Sequence, residues 1–162
     1  MKKLLLLALL PLYAFAAGLP DGFDGLRWEA PVAQLADARK LAETKAYQCY
    51  RSGEGQGKVG GAPVSNQRLC FSNDRFYFVQ MEFAGQAAYD ALLAYATAQW
   101  GAGRAGQRFT ETHVWGGGDD KVYVELEFSK VDDRGTLALV YLPIYRETQE
   151  ASRQEQIGRA HV

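Results

Sequence analysis

Two cysteines set the strongest constraint on how this chain can fold. Cys49 and Cys70 each lie in a short strand-like segment, AYQCYRS and VSNQRLCFS, and a glycine-rich stretch separates the two segments. Two cysteines in an exported protein most simply form one disulfide. Such a bridge places the two strands side by side and antiparallel, and closing its loop contributes about 3 kcal/mol in the chain-entropy model.

Side-chain alternation in this strand pair predicts two different faces. Arg51 and Arg68 share the face of the bridge, whereas Tyr50, Leu69 and Phe71 lie on the opposite face. The second face is the more apolar. We therefore expect the disulfide to lie toward the outer side of the sheet.

The glycine-rich stretch resembles two nucleotide-binding patterns without matching either context. Residues 55–60 match GxGxxG, but a dinucleotide fingerprint needs a helix after it, and here Pro63 and another strand follow. A P-loop would require glycine at Ser52 and Ser or Thr at Val59. We interpret the stretch as a hairpin loop. The distant cysteines also lack the Cys-x-x-Cys spacing of a redox pair.

The N-terminus has the features of a signal peptide. Lys2 and Lys3 precede an uninterrupted apolar run, and residues 14–16 form a small-x-small cleavage site. Residues 1–16 are therefore predicted to be removed, which places the mature chain in the periplasm or outside the cell. The run is short of the about 20 residues of a permanent anchor, so no stable membrane insertion is expected; an uncleaved leader is the alternative.

The C-terminus has two parts. Residues 147–156 form a polar tail, either the start of a helix or disordered. Residues 157–162, IGRAHV, can be encoded by a common short-read sequencing adapter, so we predict that they are read-through and give His161 no functional role. Resequencing the locus tests this prediction.

Charge and length exclude some classes of function. Without Lys2, Lys3 and Arg159, the 18 basic residues fall to 15 against 19 acidic ones, a net charge of −4. A mildly acidic chain without a basic cluster is a poor candidate for binding nucleic acid. Residues 17–146 have the length of one ordinary domain.

Hydrophobic periodicity predicts an α+β domain. The clearest strand is 75–83, in which Tyr77, Val79, Met81 and Phe83 form one apolar face and Phe76 and Phe78 point the other way. A helix follows from Gly85 to Trp100, and then strands at 108–115, 121–129 and 136–142. With a first short strand at 23–28 and a brief helix through Leu35, the expected fold is a single antiparallel sheet of six to seven strands with one long helix packed on one face.

Three short motifs resemble a group of small exported bacterial proteins of unassigned function that open Phe-x-Gly-Ile-x-Trp-Gly. FDGLRW aligns with that opening, Trp100-Gly101 with an aromatic-Gly helix end, and Trp115 with an aromatic-x-Trp-like strand motif. Glu29 replaces the glycine after the tryptophan. The resemblance implies a fold and an exported location; more distantly, the pattern resembles envelope-assembly and enzyme-inhibitor modules, which bind proteins.

Few residues suggest catalysis. His113 is the only histidine between the leader and the tail, and we expect no catalytic residue, metal or cofactor. Asp119-Asp120 and Asp132-Asp133 lack the spacing of a calcium loop. Glu125 and Glu127 share a strand face, so a secreted hydrolase using surface carboxylates is the alternative function.

The favoured prediction is a binding function. If the Tyr77 face is core, Phe76 and Phe78 lie on the other face of the sheet, and uncovered aromatic rings there would mark an interaction surface; alternatively, a loop packs over them. We therefore expect an exported, non-enzymatic binding or accessory protein of the bacterial envelope, with an envelope protein or small ligand as its partner.

Overall fold

The computed structural model describes residues 18–106 and 110–161. The predicted signal peptide, residues 1–16, and the first part of the predicted strand 108–115 lie outside the described residues. The elements in chain order are β1 (Gly22–Phe23), β2 (Leu26–Arg27), a 3-10 turn (Val32–Gln34), β3 (Ala38–Glu43), β4 (Gln48–Ser52), β5 (Gly57–Val59), β6 (Ala62–Ser72), β7 (Arg75–Ala84), α1 (Gln86–Trp100), β8 (Arg104–Gly106), β9 (Glu111–Gly116), β10 (Val122–Ser129), β11 (Arg134–Tyr141) and α2 (Leu142–Ala160).

Most strands form one antiparallel sheet in the order β3-β4-β6-β7-β11-β10-β9-β8, and β5 pairs with the start of β6. The α+β prediction is confirmed, but the sheet has nine strands rather than six to seven, and two helices rather than one pack against it. The strands that the sequence did not predict are β3, β5 and β8. Instead of the predicted strand at 23–28, β1 and β2 form a separate small hairpin.

The main core lies between the sheet and α1. Tyr89, Leu92 and Ala96 recur at helical spacing on the buried stripe of α1. They meet a continuous apolar face whose rings stack, with Phe128 centred 5.1 Å from Tyr89 and 6.0 Å from Phe83. Gly101 ends the helix as predicted, but its φ of +84° and ψ of −169° form an extended conformation open to glycine and not the predicted left-handed helical one.

Helix α2 packs on the opposite face of the sheet, against β7 and β11. It buries Ile144 in a second, smaller cluster with Cys49, Cys70 and Tyr77. The predicted polar tail, residues 147–156, forms the middle of α2, in which only Ile144 and Thr148 are buried, four residues apart on one side of the helix. Residues 157–160 continue the helix, and their origin as read-through stays a prediction that resequencing tests.

A β-bulge in β7 corrects the predicted faces of that strand. Cys70 pairs with Phe78 but the next residue, Phe71, pairs with Phe76, so Tyr77 is an extra residue and the alternation reverses there. As a result Phe76 joins the α1 side, while Tyr77 joins the cluster beneath α2. The expectation that Phe76 and Phe78 share a face is therefore wrong.

The N-terminal segment closes one end of the main core. Trp28 stacks on Phe76 with ring centroids 5.0 Å apart, and its indole Nε1–H donates to the carbonyl of Pro20 at 2.8 Å. Glu29 adopts a φ of +71°, so the turn after the tryptophan forms even though glutamate stands where the resembling proteins have glycine.

Candidate functional site

The sheet face opposite α1 is only partly covered. Its first cross-strand row, which includes Cys70, Phe78 and Val140, lies at the end of the sheet where α2 packs. Beyond it the rows become polar. Arg68, Gln80, Ala138 and Glu125 form one row and Ser65, Glu82, Thr136 and Glu127 the next, because each is paired in register with its neighbour across β6, β7, β11 and β10. We call these two rows the open face.

Two connected cavities lie over the open face. The larger has a volume of about 600 Å³ and its lining includes Glu127, Arg134 and Thr136. The smaller, about 270 Å³, is lined by residues that include Arg51 and Arg68. Asn66, Gln80 and Glu82 line both cavities, so the two form one continuous depression. Its size is within the range of small-ligand sites.

Hydrogen bonds fix several side chains of this surface. The Asn66 amide donates to the Glu82 carboxylate at 2.7 Å, and the Arg68 guanidinium donates to Gln80 Oε1 at 3.3 Å. The Tyr123 hydroxyl donates to the Glu125 carboxylate at 2.6 Å. Burial, followed by this hydrogen bond to Glu125, raises the pKa of Tyr123 to about 12. Glu125 is thereby oriented by a neighbour that stays protonated at neutral pH.

Three arginines stand side by side at one end of the open face. Arg39 on β3 is directly opposite Arg51 on β4. Arg51 and Arg68 adjoin Tyr50–Leu69, the last pair between β4 and β6, and both line the smaller cavity, so they lie next to each other. None of the three forms an ion pair with a carboxylate of the described residues. We call Arg39, Arg51 and Arg68 the arginine row.

Arg51 is the central member of the arginine row and has an unsatisfied donor. Its Nε atom is buried and has no hydrogen-bond partner among the described residues. A buried donor without an acceptor costs about 1–3 kcal/mol. The sequence placed Arg51 and Arg68 on the face of the disulfide, but β3 was not predicted, so the third arginine was missed.

The two predicted binding residues differ in exposure. Phe76 is 0 % exposed and contacts Trp28 and Phe71 in the main core. Phe78 is half-buried and packs on the cluster beneath α2, so it borders the open face. Phe76 therefore offers no surface to a ligand, whereas Phe78 stays a candidate at the edge of the site.

The disulfide prediction is confirmed: Cys49 and Cys70 are bonded and directly paired between β4 and β6. The bridge lies on the face opposite α1, as expected, but α2 covers it, and the two residues are 1 % and 3 % exposed. A disulfide is typical of an oxidising compartment.

The other predicted candidates are separated by the fold. Glu125 and Glu127 do share the open face. His113 points to the α1 side, where its Nδ1 atom lies 3.0 Å from the Tyr89 hydroxyl. Asp132 accepts a hydrogen bond from Ser129. Within residues 18–106 and 110–161, no three metal-ligating side chains come together.

The glycine-rich stretch forms a β-hairpin, β5–β6. Gly60 and Gly61 form its turn with φ values of +55° and +81°, a conformation that favours glycine. The turn packs against α1, and a Cβ at Gly60 would lie 2.4 Å from Cβ of Tyr95. The glycines thus serve the turn and its contact with α1.

Comparison of the chain with protein-family models, with curated proteins and with solved structures finds no match. Neither α1 nor α2, the helices of the described part of the chain, is long and apolar enough to cross a membrane.

Proposed function

We propose that this chain is an exported, non-enzymatic binding or accessory protein of the bacterial envelope and that it holds its partner on the open face. The main supporting observation is the continuous depression over β6, β7, β11 and β10, which neither α1 nor α2 covers. Charged side chains of both signs line it, and the arginine row at one end has no ion-pair partner in the described chain. Polar surfaces of this kind give electrostatic specificity to a complex.

The exported location rests on three observations. Residues 1–16 have the pattern of a signal peptide, Cys49 and Cys70 form a disulfide, and the short motifs around Trp28, Trp100 and Trp115 resemble small exported proteins. Mass spectrometry of the protein purified from its host tests this: we expect an oxidised chain beginning at Ala17. Free thiols with the leader still attached would contradict export.

A blocking substitution tests the role of the open face. Ala138 lies on the open face between Glu125 and Gln80, which lines the depression, so Ala138→Arg would introduce a long charged side chain beside the depression. The matched control is Ala87→Arg, on the exposed side of α1. In pull-downs from an envelope fraction, we expect the wild type and Ala87→Arg to capture the same partner. We expect Ala138→Arg not to capture it. Equal capture by all three would overturn the proposal.

A secreted hydrolase using surface carboxylates is the second candidate, because two carboxylates flank the larger cavity. Glu82 and Glu127 are both paired with Thr136, one from each side, so their Cα atoms lie about 10 Å apart, two strand spacings. Inverting hydrolases hold their two carboxyl groups about 6.5–9.5 Å apart with a water molecule between them, and glutamate side chains two strand spacings apart can reach such a separation. A screen with glycoside and ester substrates tests this: hydrolysis that is lost in Glu82→Gln and in Glu127→Gln would favour the enzyme, with Glu147→Gln as the control.

A further inference from the structure

We propose that the arginine row, Arg39, Arg51 and Arg68, binds an acidic peptide segment of the partner through carboxylates at alternate positions. This inference rests on the proposed function and names the chemistry of the ligand. The ligand's carboxylates would supply the ion-pair partners that the described chain does not provide for these guanidinium groups.

The first argument is the placement of like charges. Neighbouring strands are about 4.8 Å apart, and like charges directly opposite each other repel. Of the other arginines in the described chain, Arg75, Arg153 and Arg159 pair with carboxylates, whereas Arg27, Arg104, Arg134 and Arg146 do not. The arginine row differs from these because it aligns three cations on adjacent strands without an ion-paired carboxylate between them. An external anion removes this repulsion.

The second argument is the geometry of Arg51. Its Nε–H is buried without an acceptor, and the side chain lines the cavity of about 270 Å³. A carboxylate binds a guanidinium with two parallel hydrogen bonds, and one edge that accepts it includes Nε–H. An anion bound in this cavity would pair with the Arg51 guanidinium and, once the side chain turns toward it, would also satisfy the donor that the protein leaves unpaired.

The length of the arginine row favours an extended peptide over a single phosphate as its ligand. Its outer members are two strand spacings apart, about 10 Å, whereas alternate side chains of an extended peptide are about 7 Å apart. Carboxylates at positions i and i+2 would each lie between two guanidinium groups. A single phosphate would occupy only one of the two gaps, which favours the peptide.

Acidic groups nearby limit where the segment can lie. Glu54, in the turn after β4, and Glu82, on β7, line the same cavity, and Glu125 and Glu127 lie farther along the open face. Glu82, Glu125 and Glu127 repel carboxylates beyond β6 and favour a basic or neutral residue there, and Glu54 repels carboxylates past the end of β4. The acidic residues of the ligand are therefore confined to the side of β3, β4 and β6.

Titration with defined peptides tests the proposal. The probe is a peptide with capped ends and an Asp-Gly-Asp centre, the matched control has Asn-Gly-Asn, and inorganic phosphate forms a third arm. The readout is the NMR resonance of the Arg51 Nε–Hε group in the mature chain at low ionic strength, where surface charges are least screened. We expect the Asp-Gly-Asp peptide to shift this resonance to saturation and the Asn-Gly-Asn peptide to leave it unchanged. Equal shifts with both peptides, no shift with either, or tighter binding of phosphate than of the acidic peptide would overturn the assignment.

Variants locate the binding. We expect Arg51→Gln to weaken binding of the acidic peptide about tenfold and Arg68→Gln about threefold, since Arg51 is half-buried and Arg68 is exposed, and a charge-assisted hydrogen bond is worth less where solvent screens it. For these variants, binding is followed by calorimetry. Arg51→Lys keeps the charge but not the Nε donor and should retain partial affinity, while Arg27→Gln, outside the row, should bind normally. Unchanged affinity in folded Arg51→Gln would contradict the proposal. If the peptide fails to bind while Ala138→Arg still abolishes partner capture, the arginine assignment is wrong and the proposed function stands.

Discussion

The two faces of the central sheet differ in the polarity of their side chains and in how far helices cover them. The face toward α1 is continuously apolar, and five of its residues are fully buried: Val79, Met81, Val124, Leu126 and Phe128. The opposite face is divided: α2 and the disulfide cover one end, and the open face continues as charged rows. One face thus supplies the main hydrophobic core, while the other leaves a polar surface uncovered, and a single sheet does both because side chains alternate across it.

We expect the largest effect on stability from Phe76, and a much smaller one from Phe78. Phe76→Ala should lower the free energy of unfolding by about 4 kcal/mol, because a fully buried ring leaves a cavity in the core. Phe78→Ala should cost about 1–2 kcal/mol, because its ring is half-buried. Urea unfolding of both variants measures the difference. Equal losses would mean that the second face is packed as tightly as the first.

The disulfide should have the next largest effect, confined to the α2 side. Replacing both cysteines, Cys49→Ala with Cys70→Ala, should lower the free energy of unfolding by about 3 kcal/mol, because the unfolded chain regains the freedom of a closed loop. A reducing agent should destabilise the wild type by a similar amount and leave the double variant unaffected. A loss below about 1 kcal/mol would show that α2 and the sheet hold this region without the bridge.

Alkaline pH should test whether the two faces unfold together. Burial raises the pKa of Tyr77, beneath α2, and of Tyr89, in the main core, to about 12 in each case. Because the unfolded tyrosine titrates near pH 10, this contribution to stability is fully present below pH 10 and is lost as the pH rises toward 12, at most about 2–3 kcal/mol per residue.

Absorbance titration compared with circular dichroism measures this effect, and Tyr77→Phe and Tyr89→Phe should each reduce the pH dependence of unfolding. If Tyr77 ionises near pH 10 while the sheet is still folded, α2 opens separately from the core, and the two faces are independent units.

We expect a substitution on the open face to have the smallest effect on stability. Arg68→Gln should change the free energy of unfolding by less than about 0.5 kcal/mol, because the side chain is exposed and its loss relieves repulsion within the arginine row. Thermal unfolding followed by circular dichroism measures it. A loss above 1 kcal/mol would indicate that the row has a structural role that the present contacts do not show.

Strong local patterns predicted the α1 side well. The helix from Gln86 to Trp100 and its stop at Gly101 follow from an apolar stripe and a glycine, which are properties of adjacent residues. The strands β7 and β10 follow from period-two alternation in the same way. The disulfide followed from the number of cysteines and their strand-like flanks.

The other face depends on contacts between distant segments. Every residue of β3 is exposed, and its sequence ARKLAE has helix-forming residues, so only its pairing with β4 makes it a strand. The bulge at Tyr77 could not be predicted, because an aromatic residue suits either face at each position around it. Helix α2 buries only Ile144 and Thr148, too few residues for a clear apolar stripe.

By itself the sequence determined the α+β class, the long helix, the main strands and the cysteine pairing, because each depends on periodicity or on composition within a short segment. Only the tertiary structure decided which aromatic ring became core, where α2 covers the sheet, and that Arg39 joins Arg51 and Arg68. Those features arise from register between strands far apart in the chain, and register depends on the whole sheet, in which a shift of one residue exchanges its two faces.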